Sequence, residues 1–327
     1  MVKKKYDVTA LGELLVDFTE NGKSGQGNML LEANPGGAPC NVLSMLQRLG
    51  KKTAFIGKVG KDSFGSMLRN VVAEQGIDTS NLMMDRDIPT TLAFVHTEPD
   101  GDRNFSFYRN PGADMMLRKE EINISLLQDS CIFHFGSLSM TDSEVESATK
   151  FAINTAKEAG ALISFDPNLR PPLWKNLDMA REKIAYGISQ CDILKIADNE
   201  IEFFTGKTDI DEGIATLQAD YNVPLICATM GKMGSRAYHN GKQIDCAPFV
   251  NSGTIETTGA GDTFMACVLN GILQYGLEGL NTENIYDMLE FANAAASIVT
   301  TKRGALKVMP EEKDVWSFIQ KRKKEQS

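Results

Sequence analysis

Short apolar runs recur along this chain, separated by stretches in which apolar positions return every three or four residues. The runs at 7–11, 53–59, 131–135, 161–165, 192–196 and 224–228 have strand length and are rich in β-branched and aromatic residues. Helical periodicity fills 38–49, 63–75, 142–159, 178–189 and 209–220 between them. Strand and helix in alternation predict a mostly parallel sheet covered on both faces. Cys131-Ile132-Phe133-His134-Phe135 is almost continuously apolar, as suits a strand buried on both sides.

Two segments break the rhythm. One is 14–34, with Gly22, Gly25 and Gly27; the other is 90–109, where 91–97 and 104–108 read as strands joined at Pro99-Asp100-Gly101-Asp102. Asp-Gly between two β-rich runs is a hairpin signal. Both segments predict a small antiparallel flap, a lid formed mainly by 14–35 and 90–112, beside the main sheet of a single domain spanning 1–327. The last third is more helical, over 260–273 and 284–300, and the first of these is apolar almost all round, which predicts a buried helix.

Composition narrows the function classes. The 327 residues carry a formal net charge of −9, a field that does not attract nucleic-acid backbones. No apolar run approaches the roughly 18 residues of a membrane span, and Asp7 and Glu13 interrupt any signal-peptide core. Six cysteines without a Cys-x-x-Cys pair, mostly in apolar segments, read as reduced, buried thiols. The expectation is a soluble, cytoplasmic protein without nucleic-acid or membrane partners. Three widely spaced histidines, His96, His134 and His239, make a His/Cys metal site a poor fit.

The chemistry concentrates in Thr257-Thr258-Gly259-Ala260-Gly261-Asp262-Thr263-Phe264. Small residues let a phosphate approach the backbone, and the amides that open the following helix form an anion site with its dipole. A carboxylate there, Asp262, makes sense as a base beside an oxyanion-stabilising cradle. The same residues also suit an ordinary capped helix start. A dinucleotide fingerprint fits less well, because Phe264 stands where a third Gly or Ala is wanted. No Gly-x-x-x-x-Gly-Lys-Ser/Thr loop is present. A second glycine motif, Asn34-Pro35-Gly36-Gly37-Ala38-Pro39-Cys40-Asn41, opens an earlier helix; by itself it reads more readily as a tight turn with a proline at the helix start.

Together, in this order and spacing, the two motifs resemble the ribokinase-like (PfkB) carbohydrate kinases. The similarity continues through Asp166-Pro167-Asn168-Leu169-Arg170, Asn199-Glu200-Ile201-Glu202, Thr229-Met230-Gly231-Lys232-Met233-Gly234 and Thr301-Lys302-Arg303-Gly304-Ala305, covering roughly 5–312. Within that family Gly12-Glu13-Leu14-Leu15-Val16-Asp17-Phe18 and 102–114 look most like the bacterial-type fructokinases.

The resemblance implies a ribokinase-like three-layer α/β sandwich with a small β lid. It implies ATP and Mg²⁺, and roles residue by residue. Asp262 resembles the general base, with the amides of Gly259, Ala260 and Gly261 stabilising the transferring group and Arg170 near substrate or γ-phosphate. Asp17, Gly36, Gly37 and Asn41 look like the sugar set. Phe105 and Phe107 share a strand face that could close over the sugar, and Arg109 is a further substrate candidate. Asn199, Thr229, Gly231, Gly234 and Asn293 look like nucleotide contacts, and Glu202 an indirect Mg²⁺ ligand through water. Glu256 stands where the family commonly has Asp, which puts a K⁺ requirement in question.

The function expected is phosphorylation of fructose to fructose 6-phosphate. The alternatives are the same chemistry on 2-keto-3-deoxygluconate or ribose, for which Arg109 and Arg170 could meet a carboxylate, or a catalytically silent sugar- or nucleotide-binding regulator. A hydride-transferring Rossmann enzyme is a distant third. Lid edges offer a route to a homodimer.

Overall fold

The computed structural model describes residues 4–97 and 103–325, with backbone only for 96, 97 and 103–105. In chain order the elements are β1 (Tyr6–Leu11), β2 (Leu15–Lys23), β3 (Met29–Gly36), α1 (Ala38–Arg48), β4 (Thr53–Gly60), α2 (Ser63–Glu74), β5 (Asp78–Asp85), β6 (Leu92–Thr97) and β7 (Arg103–Tyr108). They continue with α3 (Ile124–Gln128), β8 (Ser130–Gly136), α4 (Ser143–Glu158), β9 (Leu162–Asp166), α5 (Leu177–Gln190), β10 (Ile193–Ala197), α6 (Asp198–Thr205), α7 (Ile210–Asp220) and β11 (Leu225–Thr229). The chain ends with β12 (Ser235–His239), β13 (Lys242–Cys246), α8 (Ala260–Tyr275), α9 (Thr282–Val299) and α10 (Glu312–Glu325).

Nine strands form one sheet in the order β13-β12-β11-β10-β9-β8-β1-β4-β5. From β5 through β11 every pairing is parallel, and β12 and β13 add an antiparallel edge. One core packs α1, α2, α8, α9 and α10 on one face; the other packs α3, α4, α5, α6 and α7 on the opposite face. Alternation along the central strands decides what each face receives. Phe133, Phe135, Ile163, Phe165, Leu194 and Ile196 enter the second core. His134, Ser164, Asp166 and Lys195, between them in sequence, point the other way. They form a buried polar row, with His134 Nδ1 2.8 Å from Ser164 Oγ and Lys195 Nζ 3.1 Å from Asp166 Oδ2.

Helix starts differ in a way that matters for the site. α2, α4, α5, α7 and α9 each begin at a side-chain cap, from Asp62, Asp142, Asn176, Asp209 and Asn281 respectively. α8 begins at Gly259, in left-handed conformation (φ 78°) and with no side-chain cap. The helix is buried around most of its circumference, as its composition predicts.

The predicted lid is a second, four-stranded sheet in the order β3-β2-β6-β7. It is not wholly antiparallel: β2–β3 and β6–β7 are hairpin-like pairs, but β2 and β6 run parallel, with Asp17 opposite Ala93. The two pairs are separated by α1, β4, α2 and β5, so they can join side by side without a tight turn. The Pro99-Asp100-Gly101-Asp102 turn lies outside the described residues. Phe18 stacks on Phe94 (5.0 Å) and meets Phe64 of α2 edge-on (5.6 Å), tying the outer face of the lid to the body.

Candidate active site

A cleft of about 640 Å³ opens between the inner face of the lid and the carboxyl ends of β8, β9 and β10, with the first turns of α1 and α8 entering it. Such carboxyl ends are where open parallel sheets bind ligands. Asp262, in the first turn of α8, is nine-tenths buried, and Asn41 Nδ2 on α1 donates to its Oδ2 at 2.8 Å. Burial pushes the Asp262 carboxyl up to about 6; Asn41 opposes the shift, Asp166 adds to it, and Lys195 and Arg170 oppose it. Asn41 Oδ1, buried beside it, has no hydrogen-bond partner among the described residues.

Facing this pair across the cleft is Asp17 on β2. Burial raises its carboxyl to about 7, with Arg170 pulling down and Glu256 and Asp262 pushing up. Gly36 makes room for it: a Cβ there would stand 2.1 Å from Asp17 Oδ2. Gly37 takes φ 130°, and a Cβ on it would meet Glu13 O at 2.4 Å, so the turn into α1 requires glycine. Glu13 Oε1 accepts from Ala38 N (2.9 Å), and burial lifts its carboxyl to about 7 despite that bond. Arg170, exposed at the rim, follows Asn168, which bends the chain with φ 43°.

The pfkB family of carbohydrate kinases matches residues 5–312 of the chain. This chain belongs to that family. It is 41% identical over 315 residues to a protein described as "Probable fructokinase-2" of Arabidopsis thaliana, covering 95% of each chain. Its fold is similar to that of a fructokinase from Xylella fastidiosa solved with bound ATP, with TM-score 0.89, 30% identity, and 97% and 99% of the two chains covered. A double mutant of fructokinase from Vibrio cholerae O395, solved with fructose, ADP and potassium ion, gives TM-score 0.87 at 29% identity, covering 98% of this chain and 100% of that one.

In this pfkB kinase the cleft gathers Asp17, Gly36, Gly37, Asn41, Phe107, Arg170, Asn199, Gly259, Gly261 and Asp262 from the residues singled out in the sequence. Others it does not gather. Arg109 is buried and locked: Nε donates to Asp114 Oδ2 (2.8 Å), Nη1 to Thr141 Oγ1 (2.9 Å) and Nη2 to Leu138 O (3.1 Å), so its fork is spent inside the fold and does not reach the cleft. The Ala260 amide turns back to Thr257 O (3.2 Å), which removes it from the cradle expected of Gly259, Ala260 and Gly261. Thr229, Gly231 and Gly234 lie at the carboxyl end of β11 and just after it, beyond the enclosed cleft. Asn293 on α9 donates to Cys246 O (3.3 Å) and Ala247 O (3.1 Å), and Glu202 is exposed on α6. The Phe105 side chain lies outside the described residues.

The sequence reading passed over Glu13, Lys195 and Glu200, which all line the cleft. Glu200 holds the loop after β9 and the end of β10 together, accepting from Leu169 N and Ala197 N, both at 2.8 Å. Lys195 had a signal of its own, a charge inside the apolar run Ile193-Leu194-Lys195-Ile196-Ala197. Among the described residues no group of three or more His, Cys, Asp or Glu is arranged to hold a metal, and no helix is long and apolar enough to cross a membrane.

Proposed function

We propose that this kinase transfers the γ-phosphoryl group of ATP to fructose, giving fructose 6-phosphate and ADP, with Asp262 as general base. The Asn41–Asp262 pair at the uncapped start of α8 carries the reading. Asn41 fixes one carboxylate oxygen, leaving Oδ1 to take the proton of the primary hydroxyl. The hydroxyl oxygen forms its bond to the γ-phosphorus as the bond to the β,γ-bridging oxygen breaks, and ADP leaves with that electron pair. The proton passes to Asp262. The α8 dipole and the backbone of Gly259 and Gly261, both lining the cleft, are assigned to the developing charge. Asp17 and the unpartnered Asn41 Oδ1 are acceptors suited to sugar hydroxyls.

The charge of the cleft favours a neutral sugar. Among the described residues, Glu13, Asp17, Glu200, Glu256 and Asp262 line it against Arg170 and Lys195. With Arg109 committed to Asp114, an acidic substrate such as 2-keto-3-deoxygluconate finds little positive charge to meet. Against a silent binding protein stands the place of Asp262, since a passive phosphate site at an uncapped helix start is weakened by a carboxylate. The nucleotide is assigned to the side of Asn199, Thr229, Gly231, Gly234 and Asn293. Asn199 and Glu202 would hold Mg²⁺ through its water shell, and the ion would neutralise charge on the ATP phosphates. A K⁺ requirement stays open, because Glu256 stands where the resemblance calls for Asp, and no step of the transfer depends on one. A homodimer is assigned to the lid edge, where Met29, Leu30 and Leu31 of β3 are exposed.

A coupled ADP-release assay with Mg-ATP against fructose, ribose and 2-keto-3-deoxygluconate, run beside Asp262→Asn, tests this reading. Fructose leading by more than tenfold in kcat/KM supports it. A lead by either other acceptor refutes the substrate assignment, and an active Asp262→Asn refutes the base.

A further inference from the structure

We infer that Lys195 is a catalytic cation of this kinase, its ammonium contacting the phosphoryl group during transfer. The inference rests on the reading of the cleft given above and deepens it.

Lys195 stands in the middle of β10, only 6% exposed, between Leu194 and Ile196, which turn into the core of the opposite face. A lysine in that position is costly unless something holds or uses its charge. The second buried lysine of the fold shows what a purely structural one looks like. Lys58 is ringed by Asp85 (3.1 Å), Glu121 (2.9 Å) and Met116 O (2.9 Å), which occupy its donors within the fold. Lys195 has a single carboxylate at ion-pair distance among the described residues, Asp166, whose two oxygens lie 3.2 and 3.1 Å away, and it lines the cleft. An ammonium has three donors, so this one keeps capacity for a further acceptor.

Its location is stranger still for a structural role. A Cβ built on Gly261 would come within 3.0 Å of Lys195 Nζ, so the ammonium rests against the first turn of α8. That end of a helix is its positive pole and disfavours a cation. A buried lysine placed there, beside uncapped helix amides and the Asp262 base, is explained by an anion that arrives between them. Glycine at 261 is what lets the ammonium approach. Burial works against its charge, but Asp166, Glu200 and Asp262 outweigh burial and hold its pKa above the usual lysine value, so the group stays protonated. The other cation among the described cleft residues, Arg170, is exposed at the rim, where water screens it. Inside the protein the same charge acts more strongly on a developing phosphoryl charge.

Lys195→Met is the test, with kcat, fructose Kd, ADP Kd and the tightening of ADP binding by aluminium fluoride in the presence of fructose and magnesium as readouts. Removing one preorganised donor of this kind costs about 100-fold or more in kcat. The fructose Kd is expected to stay within about threefold, and the aluminium fluoride tightening to be lost, because that complex mimics the transferring group. Lys195→Met also orphans Asp166, so the double variant Lys195→Met/Asp166→Asn is measured in parallel. It is expected to recover thermal stability without recovering kcat. Recovery of kcat in the double variant would show that Lys195 only neutralises Asp166, and would overturn the inference. So would a Lys195→Met kcat within fivefold of the parent, or aluminium fluoride tightening that survives. Asp262→Asn in the same series separates the two readings: if it stays active, the cleft assignment itself fails; if it is inactive while Lys195→Met is not, only the role of Lys195 falls.

Discussion

Asp262→Asn tests the active site through stability as well as rate. The substitution keeps the shape of the side chain and removes a buried charge. The Asp262 carboxyl rises from an ordinary 3.8 to about 6 on folding, chiefly through burial. Its folded pKa therefore lies above its unfolded one, and the ionised form is disfavoured in the native state. At pH 8 both states are ionised, and the difference of about 2 units corresponds to roughly 3 kcal/mol of native-state destabilisation, an upper figure. As pH falls through 6 the folded carboxyl takes up a proton, and below 3.8 the difference is gone. The asparagine variant of the ligand-free protein is thus expected to be more stable than the parent at pH 8, by up to roughly 3 kcal/mol, and to lie within about half a kcal/mol of it near pH 4. Urea unfolding at the two pH values measures this. The same variant is expected to lose about 10²- to 10⁴-fold in kcat with the base removed, while holding fructose within a few-fold. A variant that is inactive but less stable than the parent at pH 8 would show that Asp262 is a structural keystone and refute the reasoning. One that keeps kcat within tenfold would refute it from the other side.

Further consequences follow from the same geometry. The acid limb of kcat/KM is expected between pH 7 and 6, because Asp17 and Asp262 titrate at about 7 and about 6 in the folded protein; a limb near the ordinary carboxylate range would contradict the burial of both groups. Gly36→Ala is expected to raise the fructose KM at least tenfold with a small change in melting temperature, since the new Cβ would fall 2.1 Å from Asp17 Oδ2 and must displace it; an unchanged KM removes Asp17 from the sugar set. Arg109→Ala leaves Asp114 buried with the Thr91 hydroxyl as its partner among the described residues, and is expected to cost about 3–5 kcal/mol in urea unfolding while leaving fructose affinity intact in the folded fraction. Unchanged stability with lost affinity would restore Arg109 to the substrate role its sequence position suggests.

Much of the architecture is written in local pattern. The six apolar runs read as strands all lie in the main sheet, and the apolar stretch that became α8 is the buried helix expected of it. Other features are non-local or carried by weaker signals. β5 is a polar edge strand whose sequence, Asp78 to Asp85, has little alternation to read. The β12–β13 hairpin did carry a signal, Asn240-Gly241, and both residues adopt the positive φ that such a turn needs. The parallel joining of β2 to β6 has no local signature, because it depends on how two distant hairpins dock. The ion pair of Arg109 was hidden for the same reason: its partners Thr141 and Leu138 are 32 and 29 residues away, and an arginine looks alike in sequence whether or not its fork is already filled.

The buried polar row across β8, β9 and β10 carried more in the sequence than any one of its residues. A strand buried on both faces should be apolar throughout, yet β8, β9 and β10 carry His134, Ser164, Asp166 and Lys195 at alternate positions. Each breaks the pattern in isolation and could be dismissed as a satisfied core residue. Registered side by side in a parallel sheet, they fall on one face, and Lys195 at one end of the row rests against the first turn of α8. Several independent exceptions to burial that share a face and an end of a sheet are harder to attribute to packing than any one of them. The same holds for Glu13, Asp17 and Asp262, each driven upward in pKa by a common cleft. A fold that keeps so many buried groups in unfavourable electrostatic states gives up stability in its empty form. The Asn41 oxygen without a partner, the lysine at the wrong helix pole and the carboxylates held near neutrality all become favourable at once when hydroxyls and a phosphoryl group occupy the space between them.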